Sequence, residues 1–545
     1  MDFSTIQIEH DAPTPLYQQI ADQITQAAQQ EALKPEEKLP PIRKLAHILG
    51  VSPITVTLAY QALARAGVAG GQIGRGTFIL PTPAPAQPET HVRSIQPTLA
   101  PTAEGAAPSP ATEWTREGWT MTLARRTRIP RSLAWGQFFE QLLRGRSEQA
   151  LIDFSSGNPE ASLFSLAHWQ QIMEQAGRSL DQESRQQGDL EGFQYGSSLG
   201  DAALRSFLSG YLQRFGLQVT TDDILLTSGT QQGLDLLART FFEPGDSIYM
   251  EQFSYIAALD IFEQYGVRVQ PVPLDEDGLQ VEAFERLLGA PQNRPRWLYT
   301  IPTAHSPTGL SMSVERRRRL GELARTYNVL IIEDDAFNEL SYEKGMPAPA
   351  IWSFAPAGRV IYVKSFSKTT FPAVRLGCIV AAPEILSFLA EKKGLVDRGT
   401  SLLVARSVLT YLRSPAYERN LEQMRRVYRQ RRDVLLAALE RELGPLGCHW
   451  SRPLAGFSLL VTLPAPLQEM EVVEEALAQG VVVAPGRFFS PTAAATRDNT
   501  LRLTFADKSP ELLEEAAHLL AQALRTLLQR GEQSAYPSLR LTTDV

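Results

Sequence analysis

The segment IYVKSFSKTTFPAVRLG sets Lys368 just beyond a strand-like run, with hydroxyls at Ser365 and Ser367 and a guanidinium, Arg375, seven residues on. A lysine amine can condense with an aldehyde, and hydroxyls beside an arginine fork can hold the phosphate of an aldehyde-bearing cofactor. A second element, LLTSGTQQGLDLLA, places Gly229, Thr230 and Gln231 where a strand gives way to a helix, so free N–H groups and the helix dipole favour an anion there. In VLIIEDDAFNEL, Asp334 ends a buried strand, where it can pair with a protonated ring nitrogen. Tyr255 in EQFSYIAA could stack on a flat ring, Tyr195 in GFQYGSSLG could reach a phosphate, and Arg502 in LRLTF could clamp a carboxylate. Each has an ordinary alternative: a surface lysine, a capped turn, a helix cap, a core tyrosine, a strand-end salt bridge. In this order along one chain they are far more specific than any one alone.

The elements that must position these residues follow from hydrophobic rhythm. From Leu151 onward the runs ILLT, SIYM, WLYTI, VLIIED, VIYVKS and CIVAA alternate with helical patterns, which predicts an α/β domain with a largely parallel sheet. Near Gly456 the rhythm changes, and GFSLLVTL, GVVVAPG and LRLTFA read as a smaller C-terminal α/β subdomain. Upstream, residues 81–115 are rich in Pro, Ala and Thr and cannot bury much apolar surface, so they read as a linker. Residues 116–150 follow with seven arginines between Arg116 and Arg146, and with Trp119 and Trp135. Their recurring Leu, Trp and Phe favour docking on the body over contact with DNA. The expected divisions are therefore a head at 1–80, the linker at 81–115, a connecting segment at 116–150, the body at 151–530 and a polar tail at 531–545.

The head spaces its apolar residues helically at Leu16, Ile20, Ile24 and Ala27, and a second helix begins near Pro41. A third starts with Ser52 as N-cap and Pro53 at the first helical position, and GGQIGRGTFIL reads as a hairpin whose tip presents Arg75. Helix-turn-helix spacing would carry the third helix into a major groove. Ser52, Thr55 and Thr57, with Arg43 on the helix before and Arg75 on the wing, are then the candidate DNA contacts. Six Lys/Arg against seven Asp/Glu in the first 80 residues leave only a weak basic footprint. The ordered string PLYQQIADQI, KLPPIRKLA, LGVSPITVTLAYQALARAG and GRGTFIL nonetheless closely resembles the winged helix-turn-helix of GntR-type regulators. That resemblance implies a dimer reading two half-sites on double-stranded operator DNA.

From about Leu151 to Leu524 the five body elements resemble fold-type I aminotransferases, and with the head the chain resembles the MocR subfamily of GntR regulators. The resemblance implies pyridoxal 5'-phosphate joined to Lys368 as a Schiff base, a homodimeric body, and a small amino compound that acts as effector by external aldimine formation. Two departures stand out. Related aminotransferases carry Asn-Pro-Thr-Gly where this chain has Ser306-Pro307-Thr308-Gly309 after His305, and a tyrosine just beyond the cofactor aspartate where it has Ala336 and Phe337. Ser306 is expected to replace the asparagine donor, while the phenol hydrogen bond is lost, which favours sensing over rapid turnover. The alternative is an active aminotransferase with an accessory winged-helix head; a third reading makes the cofactor itself the signal.

Bulk properties fit this division. At 545 residues the chain is too long for one ordinary core, and 43% hydrophobic with 21% charged residues is a globular composition. A net charge of −7 argues against indiscriminate nucleic-acid binding, so any DNA contact must be local. Cys378 and Cys448 alone cannot form a disulfide framework or a usual structural zinc site, and no metal is expected. No stretch approaches the roughly 20 apolar residues of a membrane helix, and Met1 to His10 lack a signal-peptide pattern, so the expected location is the cytoplasm.

Overall fold

The computed structural model describes Phe3, Ile6 and Ile8, then residues 16–29, 32–34, 37–49, 51, 55–56, 59–60, 62–63, 68–72, 76–79, 130–143, 151–187, 194–290, 296–342, 348–491 and 499–535. The chain divides into two units, Met1–Glu113 and Trp114–Val545.

In the first unit, the helices Leu16–Gln29 and Ile42–Leu49 lie where the apolar spacing puts them. Ile20, Ile24 and Ala27 turn inward at intervals of four and three residues. They meet Leu45, Val56, Ala59 and Leu63, so the described positions of the third helix bury the expected stripe. A two-stranded antiparallel hairpin, Ala69–Gln72 with Gly76–Ile79, closes this core through Ile79. Its second strand also bonds to the segment before the second helix, Leu39 N–H to the Thr77 carbonyl and Ile79 N–H to the Glu37 carbonyl. The Tyr60 phenol donates to the Pro40 carbonyl at 2.6 Å, tying the third helix to the turn before the second.

The second unit is built on a seven-stranded sheet. Its spatial order is Ile224–Thr227, Gly377–Val380, Val360–Ser365, Leu330–Asp335, Trp297–Thr300, Ser247–Glu251 and Arg268–Val272. Only Gly377–Val380 runs antiparallel to its neighbours, so the largely parallel sheet expected from the alternating runs is present. Side chains alternate between two apolar layers. Ile248, Met250, Ile332, Ile361 and Val363 face one cluster, while Tyr249, Ile331, Val360 and Tyr362 face the other side. Burial on both faces explains why these strands read as unbroken apolar runs. Thr227, Thr300, Asp335 and Ser365 all end strands at the same edge, the carboxyl edge at which open α/β sheets place their ligands.

The smaller subdomain has an antiparallel sheet in the order His449–Trp450, Ser458–Thr462, Thr500–Thr504 and Ala484–Pro485, flanked by the helices Pro415–Glu442, Glu469–Ala478 and Pro510–Ala535. Parts of it precede the expected start near Gly456: the helix Pro415–Glu442, the strand His449–Trp450, and Ile152–Asp153, which pairs in parallel with Val481–Val482. A two-residue strand carries too short a pattern to be read from sequence. The last helix runs to Ala535, past the tail boundary placed at 531. Of the arginine-rich connecting segment, Arg131–Leu143 is a helix docked on the body. Both cysteines are buried and unpaired. Among the described residues no helix is long and apolar enough to cross a membrane, and no group of three or more His, Cys, Asp or Glu could hold a metal ion.

Candidate cofactor pocket

One cavity of about 280 Å³ opens at the carboxyl edge of the large sheet and is closed by the smaller subdomain. Of the body residues singled out by sequence, Thr230, Gln231, Tyr255, Ser306, Asp334, Ser365, Ser367, Lys368, Arg375 and Arg502 all line it, and Gly229 caps the helix that presents Thr230.

Local structure explains the anion end. The helix Thr230–Phe241 starts from Gly229 at φ 86° with no side-chain cap, so its first amides face the cavity. Glycine is required there: a Cβ would lie 3.0 Å from Arg375 Nη2. Arg375 itself adopts a left-handed backbone, φ 50°, and donates to the Ser228 carbonyl at 3.1 Å. Ser365 and Ser367 complete a set of hydroxyls, amides and one guanidinium suited to a phosphate.

Lys368 Nζ donates to the Gly157 carbonyl at 2.7 Å and stands 5.6 Å over the Phe457 ring. Burial, then the charges of Arg502 and Arg375, lower its ammonium to about 8, which frees more of the amine near neutral pH. Burial lifts Asp334 to about 7, although the Tyr299 phenol donates to its Oδ2 at 2.7 Å. Arg502, from the strand Thr500–Thr504, lies 4.9 Å over the Phe489 ring and donates to the Ser155 carbonyl; burial lowers its guanidinium to about 10.

Four side-chain atoms of this pocket are buried without any hydrogen-bond partner: Thr230 Oγ1, Ser367 Oγ, Asp334 Oδ1 and Arg502 Nε. Buried polar groups are normally satisfied. Hydroxyls, helix amides and a guanidinium suit a phosphate, Asp334 a protonated ring nitrogen and Lys368 an aldehyde, so the residues present fit pyridoxal phosphate.

Both departures from the aminotransferase pattern are physical. Phe337 lines the pocket and packs edge-on against Phe457 at 5.1 Å, so it presents no hydroxyl. Ser306 brings a hydroxyl where an amide is usual. Behind it, His305 Nδ1 contacts Thr308 Oγ1 at 2.8 Å and its Nε2 lies 3.9 Å from Glu251; burial lowers His305 to about 3 and raises Glu251 to about 7.

One expected residue is not brought to the pocket by its own chain. Tyr195 does not line this pocket; it is 81% exposed, with the Arg398 guanidinium 5.4 Å over its ring. The glycine and serines around it gave a turn signal but no direction. Conversely, Gly157, Asn158, Phe457 and Phe489 line the pocket and were not anticipated, since a Gly-Asn turn and scattered phenylalanines carry no chemical signature. Tyr299 was also missed, hidden in an apolar strand. Among the DNA-contact candidates, Thr55 is helical and half-buried, and Arg43 belongs to the helix Ile42–Leu49. The Arg43 side chain and Ser52, Thr57 and Arg75 lie outside the described residues.

Fold and pocket together define an aminotransferase-type body of the kind that works with pyridoxal phosphate. Residues 149–520 match the family of class I and II aminotransferases, and residues 16–79 match the gntR family of bacterial regulatory proteins. The chain therefore belongs to the class I and II aminotransferase family and, with its GntR head, is a MocR-type regulator. It is similar to aromatic-amino-acid aminotransferase 1 of Thermococcus litoralis, 35% identical over 62% of this chain and 82% of that protein. It is also similar, along nearly its whole length, to the probable rhizopine catabolism regulatory protein MocR of Rhizobium meliloti, 27% identical over 96% of this chain and 97% of that one. Among solved structures, LysN, the α-aminoadipate aminotransferase of Thermus thermophilus complexed with N-(5'-phosphopyridoxyl)-L-leucine, superposes with a TM-score of 0.64 at 30% identity, covering 76% of this chain and all but 1% of that one at 99%.

Proposed function

We propose that this regulator senses a small amino compound bearing a carboxylate, through pyridoxal phosphate held at Lys368, and that occupancy changes how a cytoplasmic homodimer grips its operator. The observation that carries this reading is the convergence of Lys368 with four buried, unpartnered polar atoms in one pocket. Pyridoxal phosphate, when bound, supplies an aldehyde that condenses reversibly with amines and a ring that withdraws electrons from the new bond. Gly229, Thr230, Gln231, Ser365, Ser367 and Arg375 would hold its phosphate, Asp334 its ring nitrogen, Tyr255 a ring face and Ser306 its ring oxygen. Arg502 would orient the ligand's carboxylate so that the ligand's amine competes with Lys368 for one position.

Competition of that kind links ligand binding to an equilibrium between arrangements of the body. Support for the homodimer comes from Leu395 and Val396, 84% and 52% exposed just before Arg398, apolar area that a second copy would cover. The head's candidate contacts, Arg43, Ser52, Thr55, Thr57 and Arg75, would meet the operator.

A second reading, an active aminotransferase, is favoured by the joint presence of Lys368, Asp334 and Arg502 and by relatives named for transamination. Against it stand Phe337 and Ser306, which leave fewer donors at the ring oxygen. Titration of the cofactor-loaded protein with L-amino acids, followed in parallel by absorbance and by operator gel shift, separates the two. Changes in both support sensing. Loss of the sensing reading follows if neither moves, and sustained production of oxo acid with an acceptor establishes the enzyme.

A further inference from the structure

The helix Arg131–Leu143 is the first described element of the body after the linker, and it is fastened to two walls of the cofactor pocket from outside. Asp260 accepts at its N-terminus from Arg131 N–H at 2.6 Å, from Ser132 N–H at 3.2 Å and from Ser132 Oγ at 2.7 Å. A buried carboxylate there satisfies orphan amides and opposes the helix dipole. Asp260 sits on the helix Ile256–Gln264, whose first residue and N-cap, Ile256 and Tyr255, line the pocket. Arg131 bridges to Glu263 on that same helix at 2.5 Å, and reaches the Ser490 carbonyl at 2.7 Å.

One turn on, Trp135 packs against Phe488 with ring centroids 5.5 Å apart, and both border a cluster centred on Phe253, Leu460, Ala484 and Phe489. Phe489 is the ring that lies under the Arg502 guanidinium. Its carbonyl also accepts from Ser254 N–H, next to Tyr255. A continuous packed path therefore runs from Arg502 through Phe489, Phe488 and Trp135 to the helix Arg131–Leu143 of the connecting segment. Well-packed aromatic contacts shift together rather than absorb displacement.

We infer that Trp135 and Arg131 are positioning residues for the Arg502 carboxylate clamp, and that the helix Arg131–Leu143 is the output element through which that clamp is felt toward the head. Its use as an output rests on the sensing reading above. The coupling itself needs neither effector nor cofactor, so it can fail separately.

Amide hydrogen exchange on the full-length protein tests it. Arg502→Ala should speed exchange across 131–143 by about 2- to 30-fold, the range expected for residues along a coupling path. Arg502→Lys, which keeps a cation over the Phe489 ring, should restore slow exchange. Lys368→Ala, in the same pocket but packed on Phe457, should leave that helix unchanged. The inference is overturned if Arg502→Ala leaves exchange at 131–143 as in the wild type, or if Lys368→Ala speeds it equally.

Discussion

Tyr299 and Asp334 form a buried pair in which the phenol donates to one carboxylate oxygen at 2.7 Å while the other oxygen, facing the pocket, has no partner. The two come from adjacent parallel strands, Trp297–Thr300 and Leu330–Asp335, so the sheet itself sets their spacing. Tyr299 thereby opposes the burial that lifts Asp334 to about 7 and keeps a carboxylate ready for a cationic ring nitrogen. Tyr299→Phe should weaken pyridoxal phosphate binding about tenfold, since a hydrogen bond to a charged group contributes about 1.5 kcal/mol or more. An absorbance titration measures this, and an unchanged affinity would separate Tyr299 from the cofactor.

Lys368 gives a pH dependence with a definite sign. Its ammonium is lowered to about 8, so the reactive amine accumulates as pH rises toward that value and is nearly complete above it. The rate of cofactor capture by the stripped protein should climb over the same window and then level. Arg502→Gln removes one of the charges that lowers Lys368, so the midpoint should move to higher pH. Stopped-flow absorbance at several pH values reads both curves, and a midpoint that stayed put would refute this electrostatic role.

Behind the pocket, the fully buried Lys364 ammonium bridges Glu339 at 2.6 Å and Asp335 at 3.2 Å. Burial alone would raise Asp335; the Lys364 charge and the Tyr362 phenol instead hold it below its ordinary value. Its contribution to stability is therefore present above the unfolded-state pKa and lost as pH falls through the folded one. Lys364→Met leaves two carboxylates buried without their cation and should destabilise the body by about 3–5 kcal/mol. Urea unfolding provides the measurement; a loss below about 1 kcal/mol, typical of exposed pairs, would contradict it.

For the head, Arg43→Ala should abolish retention of operator DNA in a gel shift while leaving the fold intact, because its position on the second helix is expected to face the backbone or a groove edge. Undiminished binding would refute the docking proposed for this helix-turn-helix.

Much of this architecture was legible in the sequence for a physical reason: long periodic segments report burial directly. Ile20, Ile24 and Ala27 gave the first helix, and runs such as VLIIED gave strands buried on both faces. The pocket was legible where chemistry demands rare combinations, as with Lys368 among serines and Arg375. Contacts that depend on tertiary approach were not. The strand Ile152–Asp153 pairs with Val481–Val482 across more than half of the chain, and Phe489 joins the pocket because the fold packs it with Phe253, Leu460 and Ala484 beneath Arg502. Tyr195 shows the converse: a plausible residue type in a plausible turn that does not line the pocket within its own chain.

The central claim is that Lys368 carries the cofactor. Absorption spectra of the purified protein with added pyridoxal phosphate, before and after borohydride, should show a visible band that reduction fixes covalently to the wild-type chain and not to Lys368→Ala. If the wild type acquires no such band, or if Lys368→Ala is labelled equally, the pocket does not work as described and only the DNA-binding head remains.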